Sequence, residues 1–282
     1  MQDFQSLTDF PKFAGNRLNM IQMKRLPAFA AYFILFLITL ILVRECILST
    51  SPQTEQQSPV ASLDAPYEED YPVISYSGYY VVYNPEYRIP RYVRYELVAS
   101  ETDGQSNRKG LNFCQDASLS MAQAEDSDYR NSGWSRGHMA PAGDFKWSDQ
   151  AMEETFYFTN CCPQNQSLNA GQWSTLEKKV RNWANRFGRV DVVTGPLIWE
   201  NEYGTIGENK VVVPDAFFKA VLAGEQSIAF VMYNRPENEN MQSCAMSVDR
   251  LEEISGIDFF AELEDSIENK SEASFNLRYW GL

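Results

Sequence analysis

The chain is short of histidine, of paired cysteines and of positive charge, and each shortage removes a class of function. It has one histidine and five cysteines (Cys46, Cys114, Cys161, Cys162 and Cys244), none in C-x-x-C spacing. A structural zinc site therefore lacks its ligands. Neighbouring Cys161 and Cys162 cannot bridge each other without strain. The thiols are then either buried and free or paired with more distant cysteines. Lys and Arg number 24 against 38 Asp and Glu, a formal charge of −14. Residues 1–65 hold five charges of each sign, so the whole acidic excess lies beyond them. Gripping a duplex tightly needs clustered cations, so a high-affinity duplex binder is disfavoured. An enzyme that meets phosphates only at a metal ion and a few arginines is not. There is no internal repeat. With 44% apolar and 13% aromatic residues in 282, the chain can bury a sizeable core and is not of disordered composition.

Four segments follow from the patterning. Residues 1–25 are a polar lead ending in Met23-Lys24-Arg25. The run 26–43 (LPAFAAYFILFLITLILV) carries no charge, and at about 1.5 Å per residue it spans roughly 27 Å, near the thickness of a bilayer core. Basic residues before it favour a cytoplasmic N-terminus. Arg44, Glu45 and Cys46 follow in place of small residues suited to cleavage. An uncleaved transmembrane anchor over residues 26–48 is therefore preferred to a signal peptide. Residues 49–66 (STSPQTEQQSPVASLDAP) read as a flexible linker. A globular domain occupies 67–282. This places the domain outside the cytoplasm, membrane-anchored, or secreted if the leading segment is removed.

Within the domain, strand patterns cover 79–83 and 91–98 as a hairpin around Asn84-Pro85-Glu86. Further strands are expected at 156–159, 190–194, 211–213, 217–222 and 228–233. Helical periodicity covers 170–187, 247–255 and 258–264. The mixture predicts an α+β fold with a mostly antiparallel central sheet flanked by helices.

The lone His138 lies in Gly133-Trp134-Ser135-Arg136-Gly137-His138-Met139-Ala140-Pro141. On a strand Arg136 and His138 project to one face. A guanidinium there can bind a phosphate and keep the imidazole neutral. Downstream, Asn160 ends the aromatic stretch. The amide-rich loop 163–169 then leads to a helix with Ser167 or Asn169 as cap. The apolar stripe is Trp173, Leu176, Val180, Trp183, Ala184 and Phe187, with Glu177 on its flank. Glu177 could equally pair with Arg181 at i+4 and do no chemistry.

In sequence order this is a strand with His, a second strand, and a helix with Asn and Glu. The stretches SRGHMAP (135–141), FYFTNCCPQNQSLNAGQW (156–173) and STLEKKV (174–180) resemble the DNA/RNA non-specific endonucleases of the ββα-metal fold, the Serratia nuclease and endonuclease G-like enzymes. SGYYVVYNPEYRIPRYVRYEL (77–97) and RLEEISGIDFF (250–260) are similar to the family as well, so the likeness covers nearly all of 75–265. It implies that His138 is the general base and Asn169 the direct ligand of Mg²⁺ (or Mn²⁺). It implies that Glu177 supports the metal through water, that Arg136 is the motif arginine, and that Asn160 stands near the base. Arg108 is the candidate for a further phosphate-binding arginine. The implied reaction is hydrolysis of DNA and RNA to 5′-phosphate and 3′-hydroxyl ends, without base readout. The partner that the resemblance implies is the nucleic-acid backbone; the apolar run adds the membrane through 26–48, and a homodimer is a further expectation. One position departs from the family: Ser135 stands where its motif has Asp, removing a negative charge beside the metal. A catalytically weakened nucleic-acid-binding module and a phosphodiesterase for small diesters are the alternatives.

Overall fold

Alternating side chains along seven strands build an antiparallel sheet with a core on each face. The computed structural model describes residues 70–282, all within the compact unit Leu63–Leu282. The sheet is formed by β1 (Val73–Ser75), β2 (Tyr80–Asn84), β3 (Ile89–Val98), β6 (Arg189–Leu197), β9 (Ala216–Ala223), β10 (Gln226–Tyr233) and β11 (Ala245–Met246), in that spatial order. Every pairing is antiparallel. Two small ribbons stand apart: β4 (Ser135–His138) with β5 (Cys161–Gln164), and β7 (Thr205–Ile206) with β8 (Val211–Val212).

The period of two divides each strand between the two cores. From β9, Phe217 and Val221 enter the larger core, while Phe218, Ala220 and Leu222 enter the smaller. The larger core receives the helix Ser174–Phe187, whose buried residues are Leu176, Val180, Trp183 and Ala184. Gly188, at φ 89°, ends that helix; a left-handed residue there suits glycine. Trp183 stacks on Phe230 with centroids 6.1 Å apart and donates Nε1–H to the Trp280 carbonyl at 2.8 Å. The smaller core is closed by the helix Val248–Ser255 and by Ile257, Phe259 and Phe260.

The predicted hairpin forms, its turn held by Asn84 Oδ1 accepting from the Glu86 and Tyr87 amides. Three expectations are corrected. Residues 156–159 are not a strand. Tyr157 makes one isolated bridge with Cys114, Phe158–Asn160 is a 3₁₀ turn, and the strand is Cys161–Gln164. The segment 258–264 is irregular, and the helix lies at Asp265–Glu272. The helical cap is Asn165, whose side chain accepts from the Ser167 and Leu168 amides, so neither Ser167 nor Asn169 caps. The expected transmembrane helix, 26–48, lies outside the described residues. Among the described residues no helix is long and apolar enough to cross a membrane. Cys114, Cys161, Cys162 and Cys244 are free thiols.

Candidate active site

His138 is delivered by β4, the outer strand of a ribbon clamped to its partner at two points. Gly137 faces Gln164 so closely that a Cβ would meet Oε1 at 2.3 Å, which only glycine avoids. Asn160 holds the following turn. Its Oδ1 accepts from the Ala140 amide at 2.8 Å, and its Nδ2 donates to the Ala140 carbonyl at 2.9 Å and to the Thr155 carbonyl at 2.8 Å. The carboxamide of Asn160 is thereby fully engaged, and its place is that of a residue that positions the His138 backbone.

The imidazole lies among Phe113, at a centroid distance of 4.6 Å, and Phe156, edge-on at 4.9 Å. Its Nε2 is buried without a hydrogen-bond partner, leaving Nδ1 as the ring nitrogen at the surface. Burial first, and the positive charge of Arg108 second, lower its pKa to about 3. At neutral pH the ring is therefore unprotonated and free to accept a proton.

The arginine whose charge reaches His138 is Arg108, not Arg136. Arg108 lies over the Phe156 ring at 5.3 Å. Arg136 is drawn away by Asp126, donating to its carboxylate at 2.6 Å and its carbonyl at 3.0 Å, and lies 5.2 Å over Tyr129. Both residues do lie along one side of β4. A row of rings, Tyr129, Phe158 and Phe113, runs from the one to the other.

Arg108 also bears electrostatically on Glu177, which links the ribbon to the helix. Glu177 sits in a cluster with Asp144, Arg181 and Lys219. Burial pushes Glu177 up and Lys219 down from their ordinary values, and the opposite charge of each resists the shift in the other. The suspected Glu177–Arg181 pair does not form. Arg181 Nη1 instead donates to Asp144 Oδ1 at 2.5 Å, and Tyr95 donates to Asp144 Oδ2 at 2.8 Å. Asn169 opens a wide π-type turn, Asn169–Trp173, just before the Glu177 helix. Its backbone amide bonds to Asn165, and its carboxamide makes no hydrogen bond among the described residues. Ser135 is opposite Gln164 in the β4–β5 register.

Sequence reasoning missed Lys219, Asp144 and the aromatic walls Phe113 and Phe156. Lys219 left a signal: it is the one charge in the strand AFFKAVLA, whose eight residues are all buried. Its parity puts it on the face of Phe217 and Val221. There its Nζ lies 4.9 Å over the Trp173 ring with no hydrogen-bond partner. Beside Arg108 a cavity of about 320 Å³ opens, lined also by Ser106, Asn107, Gly143 and Lys146. The acidic chain thus gathers Arg108, Lys146, Arg181 and Lys219 around this part of the larger core.

The α+β fold with its central antiparallel sheet is that of a nuclease, and the profile of the DNA/RNA non-specific endonuclease family matches residues 56–266. The chain belongs to that family and is an endonuclease domain by class. Among its relatives, the mitochondrial nuclease EXOG of Danio rerio is 39% identical over 208 residues, covering 67% of this chain and 61% of the relative. The human EXOG is 36% identical over 212 residues, covering 67% and 57%. The mitochondrial endonuclease G of Bos taurus is 34% identical over 202 residues, covering 66% and 68%. The crystal structure of the EndoG/EndoGI complex superposes with a TM-score of 0.63 at 30% identity, covering 68% of this chain and 86% of that one. The chain spans about three fifths of the length of the EXOG relatives it matches. These relatives overturn the expected placement on a membrane with the domain outside the cytoplasm: they are named as mitochondrial nucleases.

Proposed function

We propose that the chain is a metal-dependent endonuclease that hydrolyses phosphodiester bonds of DNA and RNA without reading bases. The observation that carries this reading is the imidazole of His138, unprotonated at neutral pH and with no hydrogen bond among the described residues, in a chain of the DNA/RNA non-specific endonuclease family. Nδ1 takes the proton of the attacking water. Phe113 and Phe156 hold the ring in one orientation and keep bulk water off its buried edge. Arg108, and Lys146 in the cavity beside it, bind the backbone phosphates, which carry no direct sequence information.

The donor set fits a hard divalent cation such as Mg²⁺ (or Mn²⁺). Asn169 offers a carboxamide oxygen not used elsewhere among the described residues, and Glu177 offers a half-buried carboxylate beside Lys219 and Arg181. Few protein ligands suit Mg²⁺, which keeps much of its water shell. When bound, such an ion supplies charge for the phosphorane-like transition state and stabilises the leaving oxygen. Glu177 then supports that ion's water shell rather than touching substrate. The products are 5′-phosphate and 3′-hydroxyl ends.

A plasmid-nicking assay over a metal series, with an EDTA control, tests the reading. His138→Ala should lose about 10²–10⁴ in rate, the scale of a positioned acid–base group, with unchanged circular dichroism. Nicking at the parental rate by that variant would remove His138 from the chemistry. The Ser135 departure favours one second reading, a binding module, which would show as nucleic-acid binding without any nicking by the parent.

A further inference from the structure

The opposite face of the sheet carries a concentration of negative charge that the nuclease reading does not use. The helices Val248–Ser255 and Asp265–Glu272 both flank β10 there, and Ser227 of β10 donates to the Ser271 carbonyl at 2.7 Å. Asp249 and Glu252 share one side of the first helix, at i and i+3. Glu272 reaches them from the second. One carboxylate oxygen of each of the three lies within 4.8 Å of the others.

Two features set this apart from an ordinary acidic surface. Glu272 is only 3% exposed, and its Oε1 is buried with no hydrogen-bond partner. A buried ionised oxygen without a partner is costly. Moreover Glu252, Glu268, Asp249 and Asp258 all direct negative charge at it. No cation answers them among the described residues: the neighbouring basic groups pair elsewhere, Arg250 with Glu253 and Lys270 with Glu225. Glu252 spends one oxygen on the Phe259 amide at 2.8 Å, which fixes its rotamer.

We propose that Asp249, Glu252 and Glu272 form a calcium-binding site, separate from the catalytic centre, that ties the two helices together. The donors are all carboxylate oxygens, the hard ligands Ca²⁺ prefers. Three protein carboxylates converge here; Ca²⁺ accepts about six to eight oxygens from flexible protein ligands, whereas Mg²⁺ keeps most of its waters and takes only one or two carboxylates. Exposed Asp249 and half-exposed Glu252 leave room for waters to complete its shell.

Calorimetric titration of the full chain with CaCl₂, and thermal melts over the same series, test the site. The parent should bind Ca²⁺ with measurable heat, and its Tm should rise by roughly 3–8 °C at a hundredfold excess over the dissociation constant. Asp249→Asn, at an exposed position that leaves the fold intact, should lose most of that rise. Glu272→Gln, which removes the buried charge but keeps the shape, should abolish it while melting no lower than the parent without calcium. Calcium bound at the catalytic centre would survive both substitutions, so only the difference between parent and variants counts. The site is refuted by a Tm that does not respond to calcium, by a response equal to that of ionic-strength-matched KCl, or by an unchanged response in both variants.

Discussion

Two sets of polar residues meet in this domain, and they are treated in opposite ways. Three residues of the frame, Asn160, Asn234 and Asp215, commit their side chains to backbone partners. Asn160 makes three hydrogen bonds with its carboxamide. Asn234 likewise accepts from the Asn165 amide and donates to the Pro163 and Pro214 carbonyls. Asp215 gathers the four amides of Trp199 to Glu202; burial would push its carboxyl up, but those bonds outweigh it and hold it below its ordinary value. By contrast His138 Nε2 and Lys219 Nζ are buried with no hydrogen-bond partner among the described residues. Committed side chains of this kind fix the backbone, whereas a buried polar atom without a partner costs stability.

The contrast can be broken most forcefully at Asn160. Asn160→Ala should destabilise the fold by about 2–4 kcal/mol, because it strands buried backbone groups. Denaturant melts would show this, while activity per folded molecule should fall far less than for His138→Ala. A loss of turnover as deep as that of His138→Ala, with the melt unchanged, would make Asn160 catalytic and blur the division.

Lys219 is the sharper case. Lys219→Met keeps the volume and removes a buried ammonium that has no hydrogen bond. The loss leaves Glu177 and Asp144 without that cation, so stability should fall by about 1–3 kcal/mol, while the metal concentration for half-maximal nicking rises because Glu177, its pKa raised further, holds its proton. A large drop in melting temperature without any change in the metal titration would place Lys219 in the frame instead.

A slope with pH tests the burial of the imidazole itself. The folded pKa of His138 is lowered to about 3 from the ordinary 6.5. Between those values the unfolded chain takes a proton that the folded chain refuses. The effect is absent above pH 6.5, and it lowers stability progressively as pH falls toward 3. His138→Gln should therefore flatten the decline of melting temperature between pH 6.5 and 4. The acid limb of parental activity should lie well below pH 6.5. Identical acid declines in the two proteins would mean that the ring is not buried as described.

The frame was largely legible in the sequence because local patterns fixed it. The hairpin at 80–98, strands β9 and β10 and the helix Ser174–Phe187 all follow from period-two or period-3.6 apolar spacing. The Ser-Arg-Gly-His segment is a strand as expected. What failed was settled by tertiary contacts. The aromatic stretch 156–159 has strand propensity, yet its rings are spent on walling His138 and packing beside Phe113. Ser167 and Asn169 are as good cappers as Asn165, and only the Asn234 anchor on the Asn165 amide settles which begins the helix. Arg136 is two residues from His138, but Asp126, ten residues upstream, outbids that proximity; Arg108 comes from a loop thirty residues away. No single-sequence pattern reports such a partner. Lys219 was legible in principle, as a charge inside an apolar run, and was overlooked because strand reasoning counts only hydrophobic alternation.

The outermost rungs of the sheet carry a separate lesson. β1 spans three residues and β11 two. A foreign strand approaching either margin would find only two or three positions to pair with, short of the six or so that cross-β stacking requires. Tapering both borders in this way lets the described region bury an extensively apolar interior without offering neighbouring molecules a ledge on which to polymerise.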